Sequence, residues 1–284
     1  MKTINLIGGG RVGQTLGRLI AQDGHYQVQD VLTRSNGSAA KAVAFMGCGR
    51  AISDLQQLRP ADLWLLAVPD AQIAPTAQAL AQLDLAMAPA TAFHCSGALS
   101  TEELGPLTDK AWGLASAHCL LSFADPTVAI TQFDGTPCAL EGDAHSLAEL
   151  KALFTRLGAH CFELAAADKL LYHAGAVFAT NFLPVLQDLA EQLWQHTHMP
   201  PELVRKMRST LLNNAVNNIV TLGPHDALTG PAARGDALLV ARQGAAVAQW
   251  QAQAGVAYQA LSELASQLAR RSAQPNGVRS GLSL

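Results

Sequence analysis

The sequence predicts an α/β protein in which a doubly wound, mostly parallel sheet is followed by an all-α C-terminal domain. Short apolar runs alternate with helical patterns from residue 2 to about residue 164, which is typical of parallel sheets covered by helices on both faces. Beyond Asp168 no segment has a strand pattern, and the helical stretches lengthen. A length of 284 residues fits two domains, because one domain usually has about 100 to 200 residues. We predict domains at 1–165 and 166–271, followed by a disordered tail at 272–284.

The predicted sheet has seven short strands, most of them apolar runs bounded by glycine, proline or polar residues. They are Lys2–Ile7, Gln27–Thr33, Asp62–Val68, Ala90–His94, Trp112–Ala117, Pro137–Leu140 and His160–Leu164, and a further short segment lies near Arg50–Ile52. The carboxyl ends of parallel strands meet at one edge of a sheet, where ligands of doubly wound folds bind. The loops that follow these strands are therefore the first place to look for a site.

The second domain is predicted to be helical throughout. Its first helix runs from Asp168 to about His196, and Pro184 should kink it because proline has no backbone N–H group. A second helix opens at Pro200-Pro201 and ends at Gly223-Pro224, which matches the usual positions of proline and glycine at helix ends. After a loop at 225–231, helical patterning continues to about residue 271.

Composition excludes several classes of function. The 19 basic and 22 acidic residues give a net charge of −3 without a basic block, so a nucleic-acid partner is not expected. The longest purely apolar run, Leu63–Val68, has six residues, whereas a membrane span needs about 18. No signal-peptide region precedes the first strand, and the five cysteines include no CxxC pair. We expect a cytoplasmic protein without a metal, a membrane or a nucleic-acid partner, and with reduced thiols.

A glycine motif follows the first strand directly and opens a helix. In the pattern GxGxxG, Gly8 permits a tight turn, Gly10 lets backbone N–H groups approach a pyrophosphate, and Gly13 lets the helix pack on its strand. The alternative is a glycine turn that binds nothing. We predict dinucleotide contacts from the whole loop, which consists of Gly8, Gly9, Gly10, Arg11, Val12 and Gly13.

The end of the second strand indicates which dinucleotide binds. An Asp or Glu at this place accepts hydrogen bonds from the ribose of NAD, but the sequence there is Thr33-Arg34-Ser35. A guanidinium and a hydroxyl suit the 2′-phosphate of NADP(H) instead. Asp30 lies 20 residues after Gly10, yet the strand continues beyond it, so we interpret Asp30 as a mid-strand residue. The alternative is that Arg34 is merely solvated.

Three further loops end strands at the same edge of the sheet. Val68 and Pro69 follow one strand, His94 and Ser96 stand at the end of the next, and His118 follows a third. Such convergence suits a site for small-molecule chemistry. We predict contacts with the cofactor from Val68 and Pro69, and a catalytic role for the other three. Either histidine, taken singly, has the structural alternative of a hydrogen-bonded residue.

The helix that begins after Asp168 places a lysine and a histidine together. At about 100° per residue, Lys169 and His173 are about 40° apart, on the face that we expect to lie opposite the helical core. Small residues on this face let another domain or a ligand come close. The core face is predicted to carry larger apolar residues: Leu171, Phe178, Phe182, Val185, Leu189 and Leu193. The alternative is a solvated polar face.

Candidate substrate contacts lie further along the chain. Asn181 lies on the same helix, about 18 Å from Lys169 along the axis at 1.5 Å per residue, and contacts another part of the cofactor or substrate in this interpretation. Thr229 and Arg234 belong to a glycine-proline loop with few charges, and loops of this kind often carry function. A plain interhelical turn is the alternative.

Over about residues 3 to 270 the chain resembles a family of predicted NADP-dependent oxidoreductases with a Rossmann-like N-terminal domain and a C-terminal helical domain of unknown function. The phosphogluconate dehydrogenase-like C-terminal superfamily, deazaflavin-dependent NADP reductases and pyrroline carboxylate reductases are similar more distantly. The resemblance is carried by Gly8–Gly13, Ala67–Asp70, His94–Ser100, Lys169–Ala174, Asn181 and Leu228–Asp236.

The resemblance also carries expectations about chemistry and assembly. In the related dehydrogenases a lysine at the start of the first long C-terminal helix is the acid/base, and it corresponds to Lys169. Their asparagine one turn later is His173 here, and the proline usual after the histidine matching His118 is Cys119. The resemblance implies a homodimer formed through the helical domain, with the site between the domains.

The sequence thus predicts an NADP(H)-dependent oxidoreductase that transfers a hydride between nicotinamide and a small carbonyl or imine. Lys169, with a pKa lowered by burial and by His173, exchanges the proton, while Arg234 pairs with a substrate carboxylate. Two alternatives are a non-catalytic NADP(H)-binding sensor or partner-binding dimer, and a deazaflavin-linked NADP reductase.

Overall fold

A computed structural model describes residues 1–83 and 89–271. The chain divides into two compact units, Met1–Ala179 and Thr180–Leu284. The division falls after the first helix beyond the sheet, whereas we predict the boundary near residue 165. That helix groups with the sheet because Lys169, its first residue, makes hydrogen bonds with the strand ends. The predicted tail at 272–284 lies outside the described residues.

The seven predicted strands are present, and the short segment at Arg50–Ile52 is a strand as well. They are β1 (Lys2–Ile7), β2 (Tyr26–Leu32), β3 (Arg50–Ile52), β4 (Leu63–Leu66), β5 (Thr91–His94), β6 (Gly113–Cys119), β7 (Pro137–Gly142) and β8 (His160–Glu163). The sheet has the order β3-β2-β1-β4-β5-β6-β7-β8. Its pairs are parallel except that of β6 with β7. The predicted Rossmann-like, mostly parallel sheet is therefore confirmed.

The first unit contains six α-helices among its described residues. They are α1 (Arg11–Asp23), α2 (Asn36–Met46), α3 (Ile73–Ala81), α4 (Pro126–Thr131), α5 (Ala144–Arg156) and α6 (Lys169–Ala176). A 3₁₀ segment at Thr101–Lys110 follows β5.

Helices cover both faces of the sheet, and β4 shows how. Its four residues are all buried. Leu63 and Leu65 pack in one apolar cluster with residues of α1, while Trp64 and Leu66 pack in a second cluster with residues of α3. Because successive strand residues point to opposite faces, a fully apolar strand is what a sheet covered on both sides requires.

Asp30 is buried in β2 and holds two arginines. Its carboxylate accepts hydrogen bonds from Arg50 Nε at 2.8 Å and from Arg59 Nη2 at 2.7 Å, and also from the backbone N–H of Arg59 at 2.9 Å. Burial works to raise the pKa of Asp30, but the bonds from Arg59 and Arg50 outweigh it and hold this pKa below its usual value. The mid-strand interpretation of Asp30 is confirmed, and its carboxylate oxygens accept hydrogen bonds from Arg50 and Arg59 within the fold.

Three cysteines form a row across β6, β7 and β8. Cys119 lies opposite Cys138, and Cys138 lies opposite Cys161. The Sγ atoms of Cys119 and Cys138 are 3.4 Å apart. All five cysteines are free, and three of them pack together although 19 and 23 residues separate them along the chain.

The second unit is helical over its described residues, as predicted. A π-helical turn at Val177–Asn181 precedes α7 (Phe182–His196), and α8 (Pro201–Asp226), α9 (Ala237–Trp250) and α10 (Ala252–Arg271) follow. The π turn ends just before Pro184, whose missing N–H group cannot bond to the carbonyl four residues earlier. At Gly223 the chain leaves the helical conformation, with φ 78° and ψ 163°, so the predicted break there is present. Within the described ranges, every helix is too short or too polar to cross a membrane.

The apolar core face predicted for the first long helix is wrong, whereas the face that carries Lys169 is closely approached, as predicted. Lys169 has a relative exposure of only 1% because this face meets the sheet. Residues expected in the core are exposed instead, with Leu171 at 80%, Phe178 at 67% and Val185 at 55%. Periodicity separates the two faces of a helix but does not say which face meets the sheet. Here the polar face does.

We predict that Asp30→Asn lowers the free energy of unfolding by about 2 to 3 kcal/mol at neutral pH, because hydrogen bonds to a charged group are worth about 1.5 to 3 kcal/mol. A folded-state pKa below the unfolded value stabilises the fold above the unfolded pKa of about 3.9 and loses that contribution as pH falls. The difference in free energy of unfolding between wild type and Asp30→Asn should therefore become smaller as the pH falls below about 4. Thermal unfolding across pH measures it, with the exposed Asp54→Asn as control. An equal gap at all pH values would contradict an ionic role.

Candidate active site

The glycine loop between β1 and α1 has the geometry of a nucleotide loop. Gly8 has φ +108°, a conformation that favours glycine, and a Cβ there would collide with the carbonyl of Ala67. A Cβ at Gly13 would collide with the carbonyl oxygen of Gly8, so α1 packs close to its strand. At Gly10 a Cβ would meet no atom of the described residues within 4 Å. The loop is therefore closely packed at Gly8 and Gly13, whereas Gly10 leaves space for a ligand.

The first turn of α1 presents backbone donors. Gly10 precedes Arg11 and Val12 at the start of the helix, and no side chain of the described ranges caps this end. The first turn also has no acidic residue. Free N–H groups and the positive end of the helix dipole favour an anion here. These residues fit a pyrophosphate, as the sequence predicts.

The end of β2 meets this loop from the side. A Cβ at Gly9 would lie 2.8 Å from Thr33 Cγ2, so the two segments touch. Ser35 caps α2 by accepting a hydrogen bond from Ser38 N at 3.2 Å and donating one to Ser38 Oγ at 3.0 Å. Arg34 is exposed and makes no ion pair with any residue of the described parts of the chain. Its guanidinium is therefore available to an anionic ligand.

The loops after β4 and β5 are tied together. Val68 packs partly buried against an apolar cluster, and Pro69 is exposed. Asp70, the next residue, accepts a hydrogen bond from Ser96 Oγ at 2.9 Å. Ser96 Oγ also accepts from the backbone N–H groups of Ala98 and Leu99 at 3.2 and 3.0 Å. Its hydroxyl thus holds the loops after β4 and β5 together.

His94 is fully buried and has a partner at each ring nitrogen. Nδ1 accepts from the backbone N–H of Ser96 at 3.1 Å, and Nε2 lies 3.1 Å from the carbonyl of Ser100. A neutral ring with its hydrogen on Nε2 satisfies both contacts. Burial lowers the pKa of His94, which favours this neutral form. His94 therefore holds the loop from Cys95 to Ser100 in shape rather than facing a ligand.

His118, Tyr172 and His173 form a cluster over Gly97. His118 Nδ1 lies 3.0 Å from the Tyr172 hydroxyl, and the His118 and His173 rings are edge to face at 5.5 Å. Burial, then the charges of His173 and Lys169, lowers the pKa of His118 to about 4, so the ring is neutral at physiological pH. His173 Nδ1 is buried without a hydrogen-bond partner in the described residues. This nitrogen is an open polar group at the site.

Gly97 is what lets the two histidines approach. A Cβ at this position would lie 2.5 Å from His173 Nδ1 and 2.8 Å from His118 Nε2. Both ring nitrogens therefore face the backbone of the loop after β5, and a larger residue at position 97 would displace them.

Lys169 lies at the carboxyl edge of β5 and β6. Its Nζ donates to the Ser96 carbonyl at 3.2 Å and to Ser116 Oγ at 2.7 Å, and lies 3.9 Å from Glu141 Oε2. Burial lowers the pKa of Lys169, while Glu141 and then Asp70 oppose that shift. Burial therefore lowers the pKa of Lys169, as predicted. His173, which we predict to lower the same pKa, instead lowers the pKa of His118.

A small, mostly apolar cavity of about 100 Å³ lies between α1 and β6. Val12 and Leu16 of α1 line one side, and Cys95 and His118 line the other. The cavity thus connects the nucleotide loop with a titratable group.

The structure brings the predicted residues of the first unit to one edge of the sheet. Asn181, Thr229 and Arg234 lie in the second unit, and their substrate roles stay predictions. Sequence reasoning missed Asp70, Ser116, Glu141 and Tyr172 as site residues. Asp70 stands in the loop after β4, Ser116 lies inside β6 two residues before His118, and Tyr172 adjoins His173, but no sequence signal marks Glu141. No group of three or more metal-ligating side chains is present among residues 1–83 and 89–271.

Comparison with known families divides the chain into two matched segments. Residues 2–116 match the family described as Rossmann-like domain, and residues 136–265 match a domain of unknown function, DUF2520. The match to the second family begins just before β7. A search of curated proteins finds no significant match.

Solved structures with the same fold cover nearly the whole chain. A Thermotoga maritima protein is 26% identical, with a TM-score of 0.74 over 95% of this chain and 100% of its own. A Bacteroides fragilis protein, assigned provisionally as an NADP oxidoreductase, is 20% identical, with a TM-score of 0.74 over 94% and 98%. Plasmodium falciparum pyrroline carboxylate reductase, solved with NADP bound, is 12% identical, with a TM-score of 0.55 over 94% and 98%.

Proposed function

The chain belongs to the proteins that join a Rossmann-like domain to a DUF2520 domain, and we propose that it is an NADP(H)-dependent oxidoreductase acting on a small carbonyl or imine. When bound, the nicotinamide supplies or accepts the hydride. The names of the Bacteroides and Plasmodium neighbours support a nicotinamide nucleotide.

One observation carries the proposal: the cavity lined by Val12 of the nucleotide loop and by His118. A nucleotide loop alone fits a binding protein as well as an enzyme. A cavity that reaches from the start of α1 to the half-buried His118 fits an active site, because burial and neighbouring charges tune such groups for proton transfer.

The residues of the site divide into binding, positioning and proton-transfer groups. Arg11, Val12 and the glycines would hold the pyrophosphate, and Thr33, Arg34 and Ser35 the 2′-phosphate, with Val68 and Pro69 beside the loop. His94 and Ser96 position the loop after β5. His173, whose Nδ1 has no hydrogen-bond partner among the described residues, would orient the substrate together with the neighbouring His118. Lys169 is proposed as the acid/base, since a lysine with a lowered pKa gives up its proton more readily.

Turnover tests the proposal directly. The protein should oxidise NADPH with at least one member of a panel of keto and imino acids, and Lys169→Ala should lower kcat by about 100-fold or more, the usual size of an acid/base effect. The dissociation constant for NADPH should be unchanged, and Lys151→Ala, an exposed control, should keep full turnover.

Other outcomes separate the alternatives. Full turnover in Lys169→Ala would remove this lysine from the mechanism. NADPH binding without turnover of any substrate would favour the non-catalytic sensor, and oxidation of reduced deazaflavin by NADP would favour the deazaflavin-linked reductase.

Arg34 is predicted to select NADPH over NADH. Arg34→Ala should weaken NADPH binding by about tenfold to 100-fold, because an arginine–phosphate contact is charge-assisted, and should leave NADH binding within about twofold. Calorimetry with both nucleotides measures this. Arg156→Ala removes an exposed arginine that pairs with Asp23 and should change neither affinity. Equal losses for both nucleotides would contradict recognition of the 2′-phosphate.

A second copy of this chain is the partner we propose for the helical domain. The 26-residue helix α8 has one buried residue among those described, Val204. Large apolar side chains project from it, with Val220 at 80% exposure and Leu222 and Leu211 each at 53%. Most of a helix's stability in a protein comes from packing, so α8 needs more cover than its own chain gives. Twofold homodimers are the commonest such assembly.

We expect light scattering to give about twice the chain mass of 29.8 kDa. Val220→Asp should shift the protein toward the monomer, because a carboxylate opposes burial in an apolar contact. Val128→Asp makes the same change on α4 of the first unit and should leave the mass unchanged. A wild-type monomer at high concentration would overturn the proposed dimer.

A further inference from the structure

We infer that Glu141 is the positioning residue of Lys169: through Ser116 it holds the buried amino group at the sheet edge and keeps it charged in the resting protein. The coupling is a property of the folded chain. Only its use in proton transfer rests on the proposed function.

The three side chains form one directed line of hydrogen bonds. Lys169 Nζ donates to Ser116 Oγ at 2.7 Å, and Ser116 Oγ donates to Glu141 Oε2 at 2.8 Å. An ammonium only donates and a carboxylate only accepts, whereas a hydroxyl does both. Ser116 is therefore the group that can link the two charges, which are themselves 3.9 Å apart.

Glu141 is itself held in place from the opposite side. The backbone N–H and the Oγ1 hydroxyl of Thr101 donate to Glu141 Oε1 at 3.2 and 2.8 Å. With Ser116 included, three donors surround the carboxylate, and Glu141 is only 6% exposed. An anion fixed in this way cannot swing out to solvent when the site changes.

Other titratable groups also face Lys169, but none has the same position. Asp70 follows β4, Cys95 and His94 stand at the end of β5, and His118 lies in β6. Asp70 is exposed, so water and salt screen its charge. A buried carboxylate close to the ammonium acts through a lower effective dielectric and has the larger effect. Burial lowers the pKa of Lys169, and Glu141 is the main group that opposes this shift.

A lysine beside a serine is also an arrangement of nucleophilic catalysis, and the hydrogen-bond directions argue against it. Ser116 has no exposed surface, and its hydrogen is donated to Glu141 rather than toward the lysine. A nucleophilic serine needs its hydrogen directed to the base and its oxygen open to substrate. Ser116 is placed as a bridge.

The line also joins the two family-matched segments. Ser96 and Ser116 lie within residues 2–116, whereas Glu141 and Lys169 lie within residues 136–265. The Rossmann-like segment supplies the acceptors, and the DUF2520 segment supplies both charges.

Direct titration of the lysines tests the coupling without substrate or nucleotide. The chain has six lysines, so protein labelled with carbon-13 at lysine Cε gives few signals, and Lys169→Arg identifies one of them. In Glu141→Gln the midpoint of Lys169 should fall by about one pH unit or more, the usual effect of an opposite charge at this distance. The other lysines should not move.

Three further variants make the result specific. Ser116→Ala should lower the same midpoint by a smaller amount, because the bridge is lost and the carboxylate remains. Glu149→Gln removes the partner of Lys2 at 2.6 Å, and it should change the Lys2 signal and leave Lys169 alone. If Glu141→Gln does not fold, Thr101→Val loosens the carboxylate and should lower the midpoint in the same direction.

An unchanged Lys169 midpoint in folded Glu141→Gln, or in folded Thr101→Val where the first variant does not fold, would overturn the inference. The two proposals fail separately. A protein that binds no NADPH and turns over no substrate refutes the proposed function, yet its lysine titration still reports whether Glu141 controls Lys169.

Discussion

The amino group of Lys169 must find hydrogen-bond acceptors inside the protein, and most of the candidate site follows from that requirement. A buried ammonium left unpaired costs several kcal/mol. Its acceptors are the Ser96 carbonyl, in the loop after β5, and the Ser116 hydroxyl, inside β6. The loop after β5 must therefore keep one shape. His94 inside it, and Asp70 from the loop after β4, hold that shape.

The same requirement explains why α6 belongs with the sheet. Its first residue reaches the strand ends, and His173 one turn later meets His118 over Gly97. The helix thus turns its polar face inward and leaves Leu171 exposed. The chain itself buries the amino group of Lys169. A second copy of the chain is proposed to bury part of the apolar surface that stays exposed.

Sequence reasoning predicts the parts of the molecule that depend on local signals. The seven predicted strands, the glycine loop and the break at Gly223 each leave a pattern within a few residues. The mid-strand position of Asp30 can also be predicted from the sequence, because apolar residues follow it directly. Contacts between distant segments leave no such pattern: Ser116 and Lys169 are 53 residues apart, and the row of Cys119, Cys138 and Cys161 exists only through strand register.

Glu141 shows the limit most clearly. It stands in β7, which runs antiparallel to β6. The expectation that site residues follow the carboxyl ends of parallel strands therefore does not apply to Glu141. Pairing of Glu141 with Ser116 in adjacent strands brings the carboxylate to the lysine. Helix geometry groups Lys169 with His173, and the family resemblance implies its acid/base role, but neither identifies Glu141 as its buried partner.

The central claim is that the glycine loop and the cluster around Lys169 form one active site. A crystal structure of the protein with NADP bound tests it most directly. We predict the pyrophosphate on the backbone N–H groups at the start of α1, the 2′-phosphate beside Arg34, and the nicotinamide directed toward the cavity between Val12 and His118. A dinucleotide whose nicotinamide points away from Lys169 and His118, or no bound dinucleotide at saturating concentration, would contradict the account.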